Sequence, residues 1–93
     1  MVDTFVTITN RLGLHARAAA RLVRLAEKFA STLRLEREDG SATADAKSIL
    51  GVLLLAASRS GTRLRIVAEG PDETAALEAI SGFFAEGLGE NVG

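Results

Sequence analysis

The spacing of the apolar residues changes along this chain, and that change of period constrains the fold more than any other feature. "TLRLERE" (Thr32–Glu38) alternates, with Leu33 and Leu35 on one side and Arg34, Glu36 and Glu38 on the other. Strict alternation is the pattern of a half-buried strand. "VDTFVTIT" (Val2–Thr9) is rich in β-branched residues, and Val2, Val6 and Ile8 share one parity, which predicts a first strand. Between these two the period lengthens. Leu22, Leu25, Ala26 and Phe29 recur at i, i+3, i+4 and i+7, the stripe of an amphipathic helix running from Ala16 to near Ala30. The turn "NRLG" (Asn10–Gly13) precedes it.

The same reasoning divides the rest of the chain. Asp39–Gly40 marks a hairpin turn and "SATAD" (Ser41–Asp45) a short return strand. "KSILGVLLLAAS" (Lys47–Ser58) fits either a helix or a buried strand, and its length and lack of alternation favour a short helix despite Gly51. "SGTRLRIVAE" (Ser60–Glu69) gives a turn and then a strand with Leu64, Ile66 and Ala68 inward. "GPDETAALEAISGFF" (Gly70–Phe84) opens a last helix. Pro71 suits an early helix position, Asp72 a cap, and Glu73 the positive end of the helix dipole, with Leu77, Ile80 and Phe84 as the core stripe.

The order is β-α-β-β-α-β-α. It predicts an α+β, two-layer open-faced sandwich, a four-stranded antiparallel sheet covered on one face by three helices. Residues 1–88 would form one domain, with 89–93 a frayed tail. A chain of this size buries roughly 60–65% of its unfolded surface, enough for one modest core.

Composition removes several function classes. There is no cysteine, so there is neither a disulfide framework nor a thiolate site. A single histidine, His15, argues against a transition-metal site. "MVDTFVTI" lacks the basic start and apolar run of a secretory signal, and "ILGVLLLAA" (Ile49–Ala57) is too short to span a bilayer, so a cytoplasmic location without membrane insertion is expected. Charge is uneven: residues 1–35 carry six Lys/Arg and two Asp/Glu, whereas residues 66–93 carry six Asp/Glu and no Lys/Arg. That suggests a basic face near His15. It does not suggest a nucleic-acid partner, since no Trp or Tyr interleaves with the basic residues.

The chemistry concentrates in "RLGLHARAAARL" (Arg11–Leu22), where His15 stands at the predicted helix start. The first turn of a helix offers unpaired N–H groups and a positive dipole end, which suits an anion. Arg17 adds a fixed cation with donors matched to phosphate oxygens. The same field disfavours the imidazolium and leaves a ring nitrogen available as a nucleophile. Arg17, Arg21, Arg24 and Lys28 lie at i, i+4, i+7 and i+11, a basic ridge running down the helix from the histidine. Such a ridge is either a solvated face or a docking surface for an acidic partner. Ser48, ahead of the next apolar run, reads as a helix N-cap, with no Glu or Gln three residues on to complete a capping box. There is no P-loop and no G-x-S-x-G elbow.

"GLHARAAA" (Gly13–Ala20) resembles the histidine signature of the HPr family, the phosphocarriers of the bacterial phosphotransferase system. "AKSILGVLLLA" (Ala46–Ala56) resembles the family's serine region, "EGPDETAALEAI" (Glu69–Ile80) its last strand-to-helix passage, and "EGLGE" (Glu86–Glu90) the ending of some members. The resemblance implies that His15 accepts a phosphoryl group on Nδ1 from enzyme I and passes it to an enzyme IIA-type acceptor. It implies that Arg17 and the backbone N–H groups of Ala16 and Arg17 hold the phosphate, and that no cofactor is needed. It makes Ser48 the target of an HPr kinase/phosphorylase. It places Ile49, Leu50 and Leu53 in an exposed apolar patch, with Arg21, Arg24, Lys28 and Lys47 as a basic rim, and it implies a monomeric carrier rather than an enzyme with its own turnover. The chain departs from the family at one position: Ala18 stands where proline is usual. Three other readings compete: a nitrogen-branch (NPr-type) carrier, a regulatory binding module acting through Ser48 alone, and an α+β nucleic-acid- or protein-binding module with the same element order.

Overall fold

The computed structural model describes residues 1–10, 12–55 and 61–89. Their elements run in the order β1 (Val2–Thr7), α1 (Ala16–Ala26), β2 (Thr32–Arg37), β3 (Thr43–Asp45), α2 (Ile49–Leu54), β4 (Arg63–Glu69) and α3 (Glu73–Ala85). The strands form one sheet in the order β1-β4-β2-β3, with every neighbouring pair antiparallel. The last long strand is thus inserted between the first two. The two-layer α+β architecture expected from the alternation is the one observed.

Register explains why one face is apolar. Val6 faces Leu64 across β1 and β4, while Leu33 faces Ala68 and Leu35 faces Ile66 across β2 and β4. These inward residues meet Ala18, Ala19, Leu22 and Ala26 of α1, Val52 of α2, and Ala76, Ile80 and Phe84 of α3 in a single core. Each fully buried Leu, Ile or Phe contributes about 1.5–3 kcal/mol. The opposite face is a charge mosaic. Arg65 bridges Asp3 and Glu36, Arg34 pairs with Glu36, and Arg63 lies over the Phe5 ring. Val67 belongs to this outward parity yet is only 4% exposed. It sits on a central strand with Asp3 and Arg34 as its cross-strand neighbours.

Several boundaries differ from the sequence expectation. Strand β1 stops at Thr7 rather than Thr9, although Ile8 still exchanges backbone bonds with Thr62 and Gly61. Helix α1 stops at Ala26, not near Ala30. Lys28 and Phe29 donate to carbonyls three residues back, Leu25 and Ala26, tightening the last turn. The cause is distant: Asp72 takes the N–H groups of Ala30 and Ser31, both at 2.9 Å, and pulls the chain out of the helix. The buried stripe of α1 is also rotated from the predicted one. Leu22 and Ala26 are buried, but Ala18, Ala19 and Val23 complete the stripe, while Leu25 and Phe29 only flank the core. Helix α1 packs against α2 and α3, and its small residues share one core with the inward face of the sheet. In α3, Ala76 is buried with Ile80 and Phe84, and Leu77 is only partly so.

The hairpin at Asp39–Gly40 is present, with Gly40 at φ 77° donating to the Arg37 carbonyl. The ambiguous segment is helical over Ile49–Leu54, and its predicted continuation through Ala56–Ser58 lies outside the described residues. So do Glu90–Gly93 of the expected tail. Before them, Leu88 is fully buried, and Gly87, Leu88 and Gly89 all adopt positive φ.

Candidate functional site

His15 is built into its position by the turn before it. Asn10, almost fully buried, donates from Nδ2 to the Gly13 carbonyl at 2.8 Å, and the same carbonyl receives the His15 N–H at 3.0 Å. Gly13 itself sits at φ 67°, a conformation that glycine adopts without steric cost. The chain therefore reaches His15 in extended geometry (φ −82°, ψ 174°), and His15 is the N-cap of α1. Its Nδ1 accepts the Ala18 N–H at 3.4 Å, the role usually played by a Ser or Asp oxygen. No acidic residue lies in the first turn of α1 itself, so the helix supplies no carboxylate of its own to its positive end.

Around it, Ala16 and Arg17 are exposed. Arg24 and Lys28 are exposed too, but Lys28 lies beyond the helix, so the ridge on α1 proper ends at Arg24. Two of the basic residues are engaged with backbone. Arg21 Nη1 donates to the Gly89 carbonyl at 3.0 Å, clasping the C-terminal passage to α1. Lys47 Nζ donates to the Phe29 carbonyl at 2.7 Å and ties the turn after α1 to the approach to α2. Neither engagement is visible in the sequence, because one joins residues 68 positions apart and the other reaches across β2 and β3.

Ser48 is the N-cap of α2 (φ −105°, ψ 111°), and its Oγ accepts the Gly51 N–H at 3.1 Å. The glycine that seemed out of place in this segment is explained here. A Cβ on Gly51 would stand 3.3 Å from Ser48 Oγ and 3.5 Å from the Ala44 side chain. The helix that follows buries Val52 and turns Ile49, Leu50 and Leu53 outward, with Leu50 66% exposed. Leu54 at 74% and Leu12 at 72% are more exposed still. Sequence reasoning singled out neither. The i, i+4 pairing of Leu50 with Leu54 was the available signal for the second. Helices α1 and α2 pack against each other, so this apolar surface and the histidine belong to adjacent elements.

Hollows of about 310 and 500 Å³ lie over β2 and β3 near Arg34 and between β1 and α3 near Gly82, and neither is lined by His15 or Arg17. Among the described residues no group of three or more His, Cys, Asp or Glu could hold a metal ion, and no helix is long and apolar enough to cross a membrane. A half-buried imidazole at a helix start without a carboxylate in its first turn, beside an exposed arginine, can accept and hold one anionic group.

Fold and site together define a class: small open-faced sandwiches that present one histidine at the start of their first helix. The comparisons say which. The family described as "PTS HPr component phosphorylation site" matches residues 2–86. The phosphocarrier protein HPr of Xylella fastidiosa (strain Temecula1) is 44% identical over 98% of this chain and 99% of its own. The crystal structure of HPr from Thermoanaerobacter tengcongensis superposes with a TM-score of 0.88 at 35% identity, covering 99% of this chain and all of that one. The multiphosphoryl transfer protein of Haemophilus influenzae is 44% identical over 99% of this chain, which spans 18% of that longer protein. The chain belongs to the HPr family of phosphocarrier proteins of the phosphotransferase system.

Proposed function

We propose that the chain carries a phosphoryl group on His15, taking it from phosphorylated enzyme I and giving it to an enzyme IIA-type acceptor. The observation that carries this reading is the placement of His15 Nδ1 at the N-terminal end of α1, whose first turn holds no acidic residue. In the transfer, a bond forms from Nδ1 to phosphorus as the donor's bond to phosphorus breaks. The broken bond's electron pair stays with the donor, which takes up a proton from water, and Nε2 releases one to water. The N–H groups of Ala16 and Arg17 and the Arg17 guanidinium stabilise the phosphoryl oxygens. Such chemistry is mainly positioning and electrostatics, so one reactive side chain on an exposed surface suffices and no cofactor is required. On this reading the protein is a monomeric cytoplasmic carrier without turnover of its own.

Ile49, Leu50 and Leu53, with Leu12 and Leu54, supply the apolar centre of the docking surface, and Arg24 and Lys28 its basic rim. Ser48 is the regulatory site. A phosphate there adds about −1.5 to −2 charges at a helix start, so α2 survives while an acidic partner is repelled. An HPr kinase/phosphorylase is the enzyme for that step.

The test is intact mass after incubation with phosphoenolpyruvate and enzyme I, beside His15→Ala. One phosphoryl group, lost in mild acid and absent from the variant, is the expected result. No gain with a donor active on a control carrier overturns the reading.

A further inference from the structure

The Ala18 N–H bears on His15 in a way that goes beyond capping. In the neutral ring, an Nδ1 that accepts a hydrogen bond carries no proton, so Nε2 holds it. Nε2, as the N–H nitrogen, then has no in-plane lone pair to offer, and Nδ1 is the nucleophilic atom. The contact with Ala18 thereby selects the reactive nitrogen. It also occupies it, because a pyridine-type nitrogen has one in-plane lone pair. That pair either accepts the Ala18 N–H or attacks phosphorus. At 3.4 Å the bond is long, and attack can break it. Ala18 is fully buried, so once the bond breaks its N–H needs a new acceptor.

We infer that the Ala18 N–H is a positioning donor that holds His15 Nδ1 before transfer and passes to a phosphoryl oxygen after it. This rests on the carrier reading of His15. The phosphate inherits the N-cap, and α1 keeps its first turn in both states. The donor thus acts twice with opposite sign: it retards attack by holding the lone pair, and it stabilises the phosphohistidine by adding a third backbone N–H to those of Ala16 and Arg17.

The first measurement is made on the unphosphorylated, ¹⁵N-labelled chain. Ring nitrogen shifts at a pH where the imidazole is neutral should show Nε2 protonated and Nδ1 as the acceptor. A proton on Nδ1 overturns the inference, whatever His15 does with phosphate. The second follows amide shifts on phosphorylation by enzyme I. The Ala18 amide should remain slow to exchange and shift along with those of Ala16 and Arg17. An Ala18 amide that loses protection, or does not shift, overturns the handover. The third uses Ala18→Pro, which deletes the donor. Its kcat/KM for phosphorylation should rise about fivefold, the factor that one cap of ordinary strength represents, with KM unchanged. An unchanged or lower kcat/KM in a folded variant overturns the retarding role; if the variant does not fold, the wild-type spectra decide. A wild-type chain with the expected tautomer that takes up no phosphoryl group overturns the carrier reading, and the handover falls with it.

Discussion

Helix α3 starts with two carboxylates, Asp72 and Glu73, whereas the first turn of α1 holds none. The difference lies in what each helix start is bound to. Asp72 occupies the N-cap position of α3 but makes no side-chain cap bond there. Its carboxylate instead accepts the Ala30 and Ser31 N–H groups at 2.9 Å and the Ser31 hydroxyl at 2.5 Å. Glu73 accepts the Gly70 N–H at 3.2 Å. The Asp72 bonds are short, multiple and join the loop after α1 to α3, while Glu73 ties the entry to α3 to the N-terminal ammonium, 3.0 Å away. At the start of α1 an imidazole nitrogen accepts the Ala18 N–H at 3.4 Å, and the first turn adds no carboxylate. A helix start serves as a joint at α3, where the cap residue sits at φ −116°, ψ 30°, and on the proposed reading as an anion site at α1, where the cap residue is extended at φ −82°, ψ 174°. The side chains at the first turn decide which.

The comparison breaks most completely at His15. His15→Ala should abolish phosphoryl uptake while costing about 1 kcal/mol in urea denaturation, the ordinary worth of an N-cap bond. The converse is expected at the joint. A Cβ at position 70 would stand 2.6 Å from Ser31 Oγ and 2.7 Å from Ser31 Cα, and Gly70 has φ 149°. Gly70→Ala should cost about 3 kcal/mol, read from the urea midpoint, and the fraction still folded should take up phosphate normally. Ala16→Glu would make the start of α1 resemble that of α3. A carboxylate there should stabilise the helix by about 0.5 kcal/mol and slow phosphoryl uptake about tenfold, an opposition of sign that thermal denaturation and initial rates can read together.

The smallest effect is the acid dependence of the joint. The Ser31 hydroxyl first, then the Ala30 and Ser31 N–H groups, hold Asp72 at about 2 against an ordinary 3.8. A depressed carboxylate contributes stability above its unfolded value and loses it as pH falls through the folded one. Wild type should therefore lose part of its stability between pH 4 and 2, by an amount that acid denaturation of Asp72→Asn no longer shows.

What the sequence conveyed follows from the range of each interaction. Alternation in Thr32–Glu38 and the turn at Asp39–Gly40 are local, and both read correctly. Ser48 as a cap is local too, and so was the presence of a histidine at a helix start. The end of α1 was misplaced by several residues because Asp72, more than forty positions away, sets it. Asp72 was read as a cap for its own helix because nothing nearby shows its reach to Ser31. Arg21 and Lys47 were read as rim charges, yet each donates to a carbonyl distant in sequence, Gly89 and Phe29. The Ala18 contact is local in sequence but depends on the orientation of the His15 ring, which residue spacing does not carry.

A carrier must give as well as take, so the most direct test is release. The chain would be loaded with ³²P-phosphate through enzyme I, separated from the donor, and mixed with an enzyme IIA acceptor. The account predicts that the label leaves His15 for the acceptor and that the chain can be loaded again. Label that stays on the chain until it hydrolyses, with an acceptor active on a control carrier, would contradict it.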